Sequence, residues 1–237
     1  MVINTLSEMG TYHRHENGEN QDKICYAQNR NLYVISLADG VSSCRQGKYG
    51  AEIASSSLTN LFVKKGGYLL EYENEQIAEL ALSYILFDLK RCAGNNNQNL
   101  EEYSSTIASV LVDKRKKRIL CFNLGDGIIL GITQNKCRIL SMPSDSSSGC
   151  CVTTTKGATK MVSAKKIDIK DLESVMICSD GAWTQMFYRN KLKPEIFNML
   201  VNNEYDELKE FLKNQNCFDD YSFIALDLQK RSMKKTA

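Results

Sequence analysis

Apolar positions along the chain fall first into short, nearly continuous runs, then into helical stripes, then into short runs again. Val2–Glu8, Ile24–Gln28 and Leu32–Ala38 predict three strands, the last with Val34, Ile35 and Leu37 in an almost unbroken apolar stretch. Gly47–Lys64 places Ala51, Ala54, Leu58 and Leu61 at helical spacing. Asn74–Cys92 does the same with Ile77, Leu80, Ala81 and Tyr84 and runs out near Gly94. Two helices, each with one core-facing stripe, are therefore expected. Beyond the Asn-rich stretch Gly94–Glu102, strands are predicted in quick succession at Thr106–Val112, Ile119–Asn123, Ile128–Ile132 and Cys137–Ser141, which reads as an antiparallel meander.

Pro143–Lys160 is rich in Ser, Thr and Gly with weak periodicity, and reads as loop with a strand or two inside it. Ser174–Cys178 predicts another buried strand. Gly181–Met186, Pro194–Asn202 and Glu204–Asn214 predict helices, the last on its Leu208, Phe211 and Leu212 pattern, and Tyr221–Leu226 predicts a closing strand. The basic tail Gln229–Ala237 has no apolar pattern and is expected to fray, leaving residues 1–228 as one domain. Strands outnumber helices, and the helices come in two clusters. The expected fold is α+β, two stacked antiparallel sheets with helices packed outside them.

Composition narrows the function classes. A chain of 237 residues, 43% apolar, can bury a full core within one large domain. With 30 basic against 28 acidic residues the net charge is +2, which argues against nucleic acid or an anionic membrane as partner. Met1–Gly10 shows no basic segment leading into a long apolar run, and no apolar stretch approaches the ~18 residues of a spanning helix. A cytoplasmic monomer is the expectation. Of the nine cysteines, Cys121, Cys137 and Cys178 lie inside apolar segments and read as buried free thiols. Structural zinc is not expected, because no Cys-x-x-Cys occurs and the only histidines are His13 and His15.

The chemistry is carried by a repeated device, an apolar strand that ends in Asp followed by Gly: Asp39-Gly40, Asp126-Gly127 and Asp180-Gly181. Asp-Gly is also a favoured hairpin turn. That reading suits Asp126-Gly127, where a strand follows at once. It does not suit the other two, which run on into helices. The functional reading is that strand ends fix carboxylates at one rim while glycine lets the backbone aim a carbonyl oxygen at a cation. Such oxygen ligands suit Mg²⁺ and Mn²⁺. Gln21-Asp22 and Asp219-Asp220 each stand just before a predicted strand and extend the set. Carboxylates gathered at one rim repel one another and call for bound cations.

Taken in order, Asn20-Gln21-Asp22, Ala38-Asp39-Gly40-Val41-Ser42, Ser105-Thr106, Leu124-Gly125-Asp126-Gly127, Cys178-Ser179-Asp180-Gly181-Ala182-Trp183 and Asp219-Asp220-Tyr221-Ser222 resemble the protein phosphatase 2C family, and Gly10-Thr11-Tyr12-His13 its bacterial branch. The resemblance implies an αββα sandwich and a metal-dependent phosphoserine/phosphothreonine protein phosphatase that opposes a cellular protein kinase. It implies two divalent cations, Mn²⁺ or Mg²⁺, and hydrolysis by a water held between them. Asp39 would bridge the cations with the Gly40 carbonyl on the second, Asp180 and Asp219 would complete the first, and Asp22 would hold the second. Asp126 would belong to a third site. Phosphate capture falls to His13 or Arg14, and His13 is alternatively the acid toward the leaving alkoxide. Gln21 stands where a glutamate is usual, Ser42 where a glycine is, and Thr184 where many relatives carry an aspartate. These departures support the competing reading, a catalytically weak or inactive module that binds phosphorylated partners.

Overall fold

The computed structural model of the protein describes residues 2–16, 18–143, 150–170 and 172–228. Its strands are apolar on both faces because both faces are covered. In β3 (Leu32–Asp39) Val34 and Ala38 point to a helical layer while Ile35 and Leu37 point to the other sheet. β4 (Ile107–Asp113) divides Ile107 and Leu111 from Ala108, Val110 and Val112 in the same way. This alternation between two buried environments explains the continuous apolar runs of the sequence.

The first sheet has the order β2-β3-β4-β5-β8, with β2 at Asp22–Gln28, β5 at Arg118–Leu124 and β8 at Ser163–Asp168, every pairing antiparallel. α2 (Gly47–Leu69) and α3 (Asn74–Asn95) cover its outer face through Leu58, Phe62, Ile77, Ile85 and Leu89. The second sheet has the order β1-β12-β9-β6-β7, with β1 at Ile3–Glu8, β6 at Ile128–Ile132, β7 at Cys137–Ser141, β9 at Ser174–Cys178 and β12 at Tyr221–Asp227. α4 (Asp180–Met186), α5 (Pro194–Asn202) and α6 (Tyr205–Lys213) cover it through Ala182, Met186, Ile196, Leu200, Leu208 and Leu212. Between the sheets lie Ile35, Val110, Ile119, Ile129, Val175, Ile177, Ile224 and Leu226. The expected four-layer sandwich is what the chain forms. A short helix α1 (Thr11–His15) and a small ribbon, β10 (Phe187–Tyr188) with β11 (Lys191–Leu192), complete the elements.

Three local expectations are corrected. The meander is broken: β4 pairs with β5 and β6 with β7, but β5 and β6 belong to different sheets, so Gly125–Gly127 is a crossing between sheets and not a hairpin. Gly125 turns the chain there at φ 112°, a left-handed conformation in which a Cβ would also lie 2.5 Å from the Thr106 side chain. Asn123 Nδ2 pins the crossing by donating to the carbonyls of Gly127 (2.9 Å) and Met142 (3.1 Å). α2 runs through Gly66-Gly67, because Gly66 packs against Leu111 with no space for a side chain. Within Pro143–Lys160 the described residues form turns and a 3-10 turn beginning at Ala158; the additional strand, β8, lies just beyond, at Ser163–Asp168. Residues 144–149 and the tail 229–237 lie outside the described residues. Cys121 and Cys178 are buried free thiols as expected, whereas Cys137 is half-buried. Among the described residues no helix is long and apolar enough to cross a membrane.

Candidate metal centre

At one end of the sandwich the ends of five elements meet. Asp22 opens β2 and Asp39 closes β3, and antiparallel register sets them directly opposite one another. Asp39 is held in place by its backbone: its N–H donates to Thr106 Oγ1 (3.1 Å) and its carbonyl accepts from the Thr106 N–H (2.8 Å). Gly40 then bridges to Ser105, and its missing side chain lets α2 begin against it, since a Cβ would lie 2.4 Å from the Gly47 carbonyl carbon. From the second sheet, β9 and β12 deliver Asp180 and Asp219. The Ser179 N–H donates to the Ser222 carbonyl (3.0 Å), and the Ser222 N–H returns to Ser179 Oγ (2.9 Å). Ser179 Oγ also donates to Asp22 Oδ2 at 3.0 Å, tying the two sheets together at the site. Asp126 arrives on the inter-sheet crossing, its carbonyl accepting from Trp183 Nε1 (2.8 Å).

The electrostatics show that these carboxylates converge. Burial, and then the charges of Asp22, Asp180, Asp126 and Asp219, hold the Asp39 carboxyl well above the usual carboxylate range. Burial pushes Asp22 up to about 8, against the pull of the Ser222 and Ser179 hydroxyls and with a further push from Asp220. Asp180 rises to about 6 through burial and the charges of Asp126 and Asp219, and Asp219 rises by burial. Among the described residues none of these five is ion-paired with a lysine or arginine. Asp22 Oδ1, Asp126 Oδ1 and the Gln21 side-chain oxygen Oε1 are buried acceptors without a hydrogen-bond donor among the described residues. Unsatisfied buried oxygens among mutually repelling carboxylates are the donor set a hard divalent cation requires, and the residues present fit one. Among the described residues no three Asp, Glu, His or Cys side chains stand close enough together to hold a metal ion by themselves. A cation here would keep waters in its shell, as Mg²⁺ ordinarily does.

The sequence matches the family described as protein phosphatase 2C over residues 9–215. The chain belongs to the protein phosphatase 2C family. No curated protein matches it in sequence. Among solved structures, a bacterial serine phosphatase superposes with a TM-score of 0.70 at 17% identity, covering 98% of this chain and 99% of that one. The serine/threonine phosphatase Stp1 from Staphylococcus aureus gives 0.68 at 18% identity, covering 96% and 95%. The S. agalactiae serine/threonine phosphatase gives 0.63 at 15% identity, covering 96% and 99%. At these identities the likeness is one of fold.

Within the phosphatase 2C frame the other expected residues fall as follows. His13 is buried at 5% exposure on α1, its Nδ1 2.9 Å from Asp220 Oδ2, and its Nε2 has no partner. Arg14 is exposed, its charge lying near the hydroxyl of Tyr221, a residue of the outer core. Thr184 spends its hydroxyl on the Asp180 carbonyl (2.7 Å), an ordinary back-bond within α4. Trp183 packs edge-to-face on Phe187 and anchors Asp126 from below. The described part of the 143–160 segment lies against the rim: the Thr153 N–H donates to the Ser105 carbonyl (2.9 Å), and the Cys150 thiol, pushed up by burial, sits beside Asp126. The residue that sequence reasoning passed over is Asp220. Its signal was present, an acid with the inward parity of Ser222 and Ile224 at the entrance to a buried strand.

Proposed function

We propose that this chain is a metal-dependent protein serine/threonine phosphatase that hydrolyses phosphoserine and phosphothreonine in phosphorylated proteins, acting in the cytoplasm against a cognate kinase. The observation that supports this is the packing of Asp22, Asp126, Asp180 and Asp219 around Asp39 with no lysine or arginine paired to any of them among the described residues. Two divalent cations, Mn²⁺ or Mg²⁺, would supply an acidified water and offset charge on the phosphoryl oxygens when bound. Asp39 and the Gly40 carbonyl would be among the oxygens that hold them. Asp180 and Asp219 would hold one cation and Asp22 the other. Asp126 stands beside Asp180 as the carboxylate for a third, without help from Thr184. Thr106 keeps Asp39 on the rim, and the Ser179 hydroxyl keeps Asp22 oriented. His13 is the imidazole of the site, buried beside Asp219 and Asp220, and His13 and Arg14 remain the two candidates for the phosphate.

The test is hydrolysis of a phosphothreonine peptide with Mn²⁺ or with chelator, beside Asp39→Asn. Turnover that needs Mn²⁺ and falls about a thousandfold in the variant, the scale of losing several kcal/mol of charge stabilisation, supports the reading. Peptide binding without turnover in any divalent cation would replace it with the binding-module reading.

A further inference from the structure

Asp220 is fully buried, and its carboxylate accepts three hydrogen bonds from three places in the N-terminal segment. Oδ1 accepts from the Gly10 N–H at 2.8 Å. Oδ2 accepts from the Gln21 N–H at 2.7 Å and meets His13 Nδ1 at 2.9 Å. A carboxylate already taking two backbone donors can only accept, so the imidazole carries its proton on Nδ1. The peptide that bears this carboxylate is itself gripped between two glycines. A Cβ on Gly10 would lie 2.3 Å from the Asp219 carbonyl carbon, and one on Gly181 would lie 2.1 Å from the Asp220 carbonyl oxygen.

The partners of Asp220 are neighbours of expected metal ligands. Gln21 precedes Asp22, Gly181 follows Asp180, and the Asp220 N–H donates to Asp219 Oδ1 at 2.9 Å, fixing that carboxylate's rotation. The Asp220 side chain thus holds the start of the strand that opens at Asp22, its N–H holds Asp219, and its carbonyl packs against Gly181 at the start of the helix that opens at Asp180. We infer that Asp220, through His13 and the Gln21 peptide, is the positioning residue that sets the spacing of Asp22, Asp180 and Asp219 for a divalent cation. It touches no substrate and no cation. Groups that orient metal ligands in this way change metal affinity by roughly 10–100-fold when removed, because the ligands must then be ordered by the ion itself.

The inference rests on the reading that this rim holds divalent cations, and its test is independent of turnover. Mn²⁺ dissociation constants are measured by calorimetry without substrate on the full chain and on Asp220→Asn, an isosteric change that sets an amide N–H₂ against one of the donors. Melting temperatures are measured alongside in chelator. The expected result is Mn²⁺ binding weakened about tenfold or more, with a melting temperature in chelator lowered by no more than the few degrees that one mispaired buried donor costs. His13→Ala, which leaves both backbone donors to Asp220, is expected to weaken Mn²⁺ about threefold on the same argument, and His13→Asn, which keeps a donor near the Nδ1 position, to restore it. A melting temperature that drops in Asp220→Asn while Mn²⁺ affinity stays within twofold would overturn the inference and leave Asp220 a purely structural residue. If the unaltered chain binds Mn²⁺ but hydrolyses no phosphopeptide, the phosphatase reading fails while these affinity ratios still decide the role of Asp220.

Discussion

Two aspartates of the first sheet, Asp22 and Asp113, are equally buried at 2% exposure yet sit in opposite circumstances. Asp113 closes β4 at the end of the sandwich away from the acidic cluster, where its Oδ1 accepts from the N–H groups of Arg115 (2.8 Å) and Lys116 (2.9 Å) and stitches the turn into β5. Asp22 opens β2 at the acidic end, where Oδ2 has one serine hydroxyl, Oδ1 has no donor, and burial has pushed the carboxyl up to about 8. A buried carboxylate that serves the fold is satisfied by the fold. One that is left short of donors is not explained by the fold alone, and costs stability that the rest of the structure offsets, which is what the proposed cation ligand requires. The same contrast runs through the whole rim, where Asp39, Asp126 and Asp180 repel one another within a framework whose backbone groups are well paired.

The sharpest way to break this comparison is to neutralise each aspartate in turn. Asp22→Asn is expected to weaken Mn²⁺ binding at least tenfold, about 1.4 kcal/mol or more. In chelator at pH 8 the same variant should melt no lower than the unaltered chain, because an amide carries no charge for burial to penalise. A chelated Asp22→Asn that melts well below the unaltered chain would show that Asp22 is structural after all. Asp113→Ala should do the reverse. It strands two backbone N–H groups, costs about 1–2 kcal/mol and lowers the melting temperature by roughly 2–8 °C, while leaving Mn²⁺ affinity unchanged as judged by titration.

The smallest effect expected is the pH dependence of the metal-free fold. Asp22 at about 8 and Asp180 at about 6 keep protons in the folded chain that the unfolded chain, with an ordinary value of 3.8, has already released. Their contribution to stability is complete below about pH 4 and is lost as pH rises through 6 and then 8. The melting temperature in chelator should therefore fall by a few degrees between pH 5.5 and 8.5. Mn²⁺ should flatten that slope, because the cation takes the place of the protons. A flat profile in chelator would mean that burial and the neighbouring charges do not hold these carboxyls protonated.

Much of the architecture was legible because both faces of each central strand are buried, so β3, β4, β9 and β12 announce themselves as apolar runs whatever their neighbours. The places where local reading failed are those where a distant partner decided. The helix read as ending at Lys64 runs on because Gly66 fits against Leu111, and Asp126-Gly127 reads as a hairpin but changes sheets, pinned by Asn123. The edge strand β8, with Lys165 exposed on one face and Lys166 half-buried on the other, has too little apolar alternation to stand out before β5 pairs with it.

By itself the sequence determined which residues bring chemistry to the rim. Asp22, Asp39, Asp126, Asp180 and Asp219 all lie at the ends of apolar strands or on the turns between them, and a strand end is a fixed address once the strand has a register. Only the tertiary structure decided how they are used. Register placed Asp22 opposite Asp39, the inter-sheet crossing brought Asp126 to the rim, and packing between Gly10 and Gly181 gave Asp220 its three donors. The physical reason is one of range: side-chain parity and turn propensity act over a few residues, whereas His13 and Asp220 are 207 positions apart and meet only when β1 pairs with β12, Glu8 opposite Tyr221.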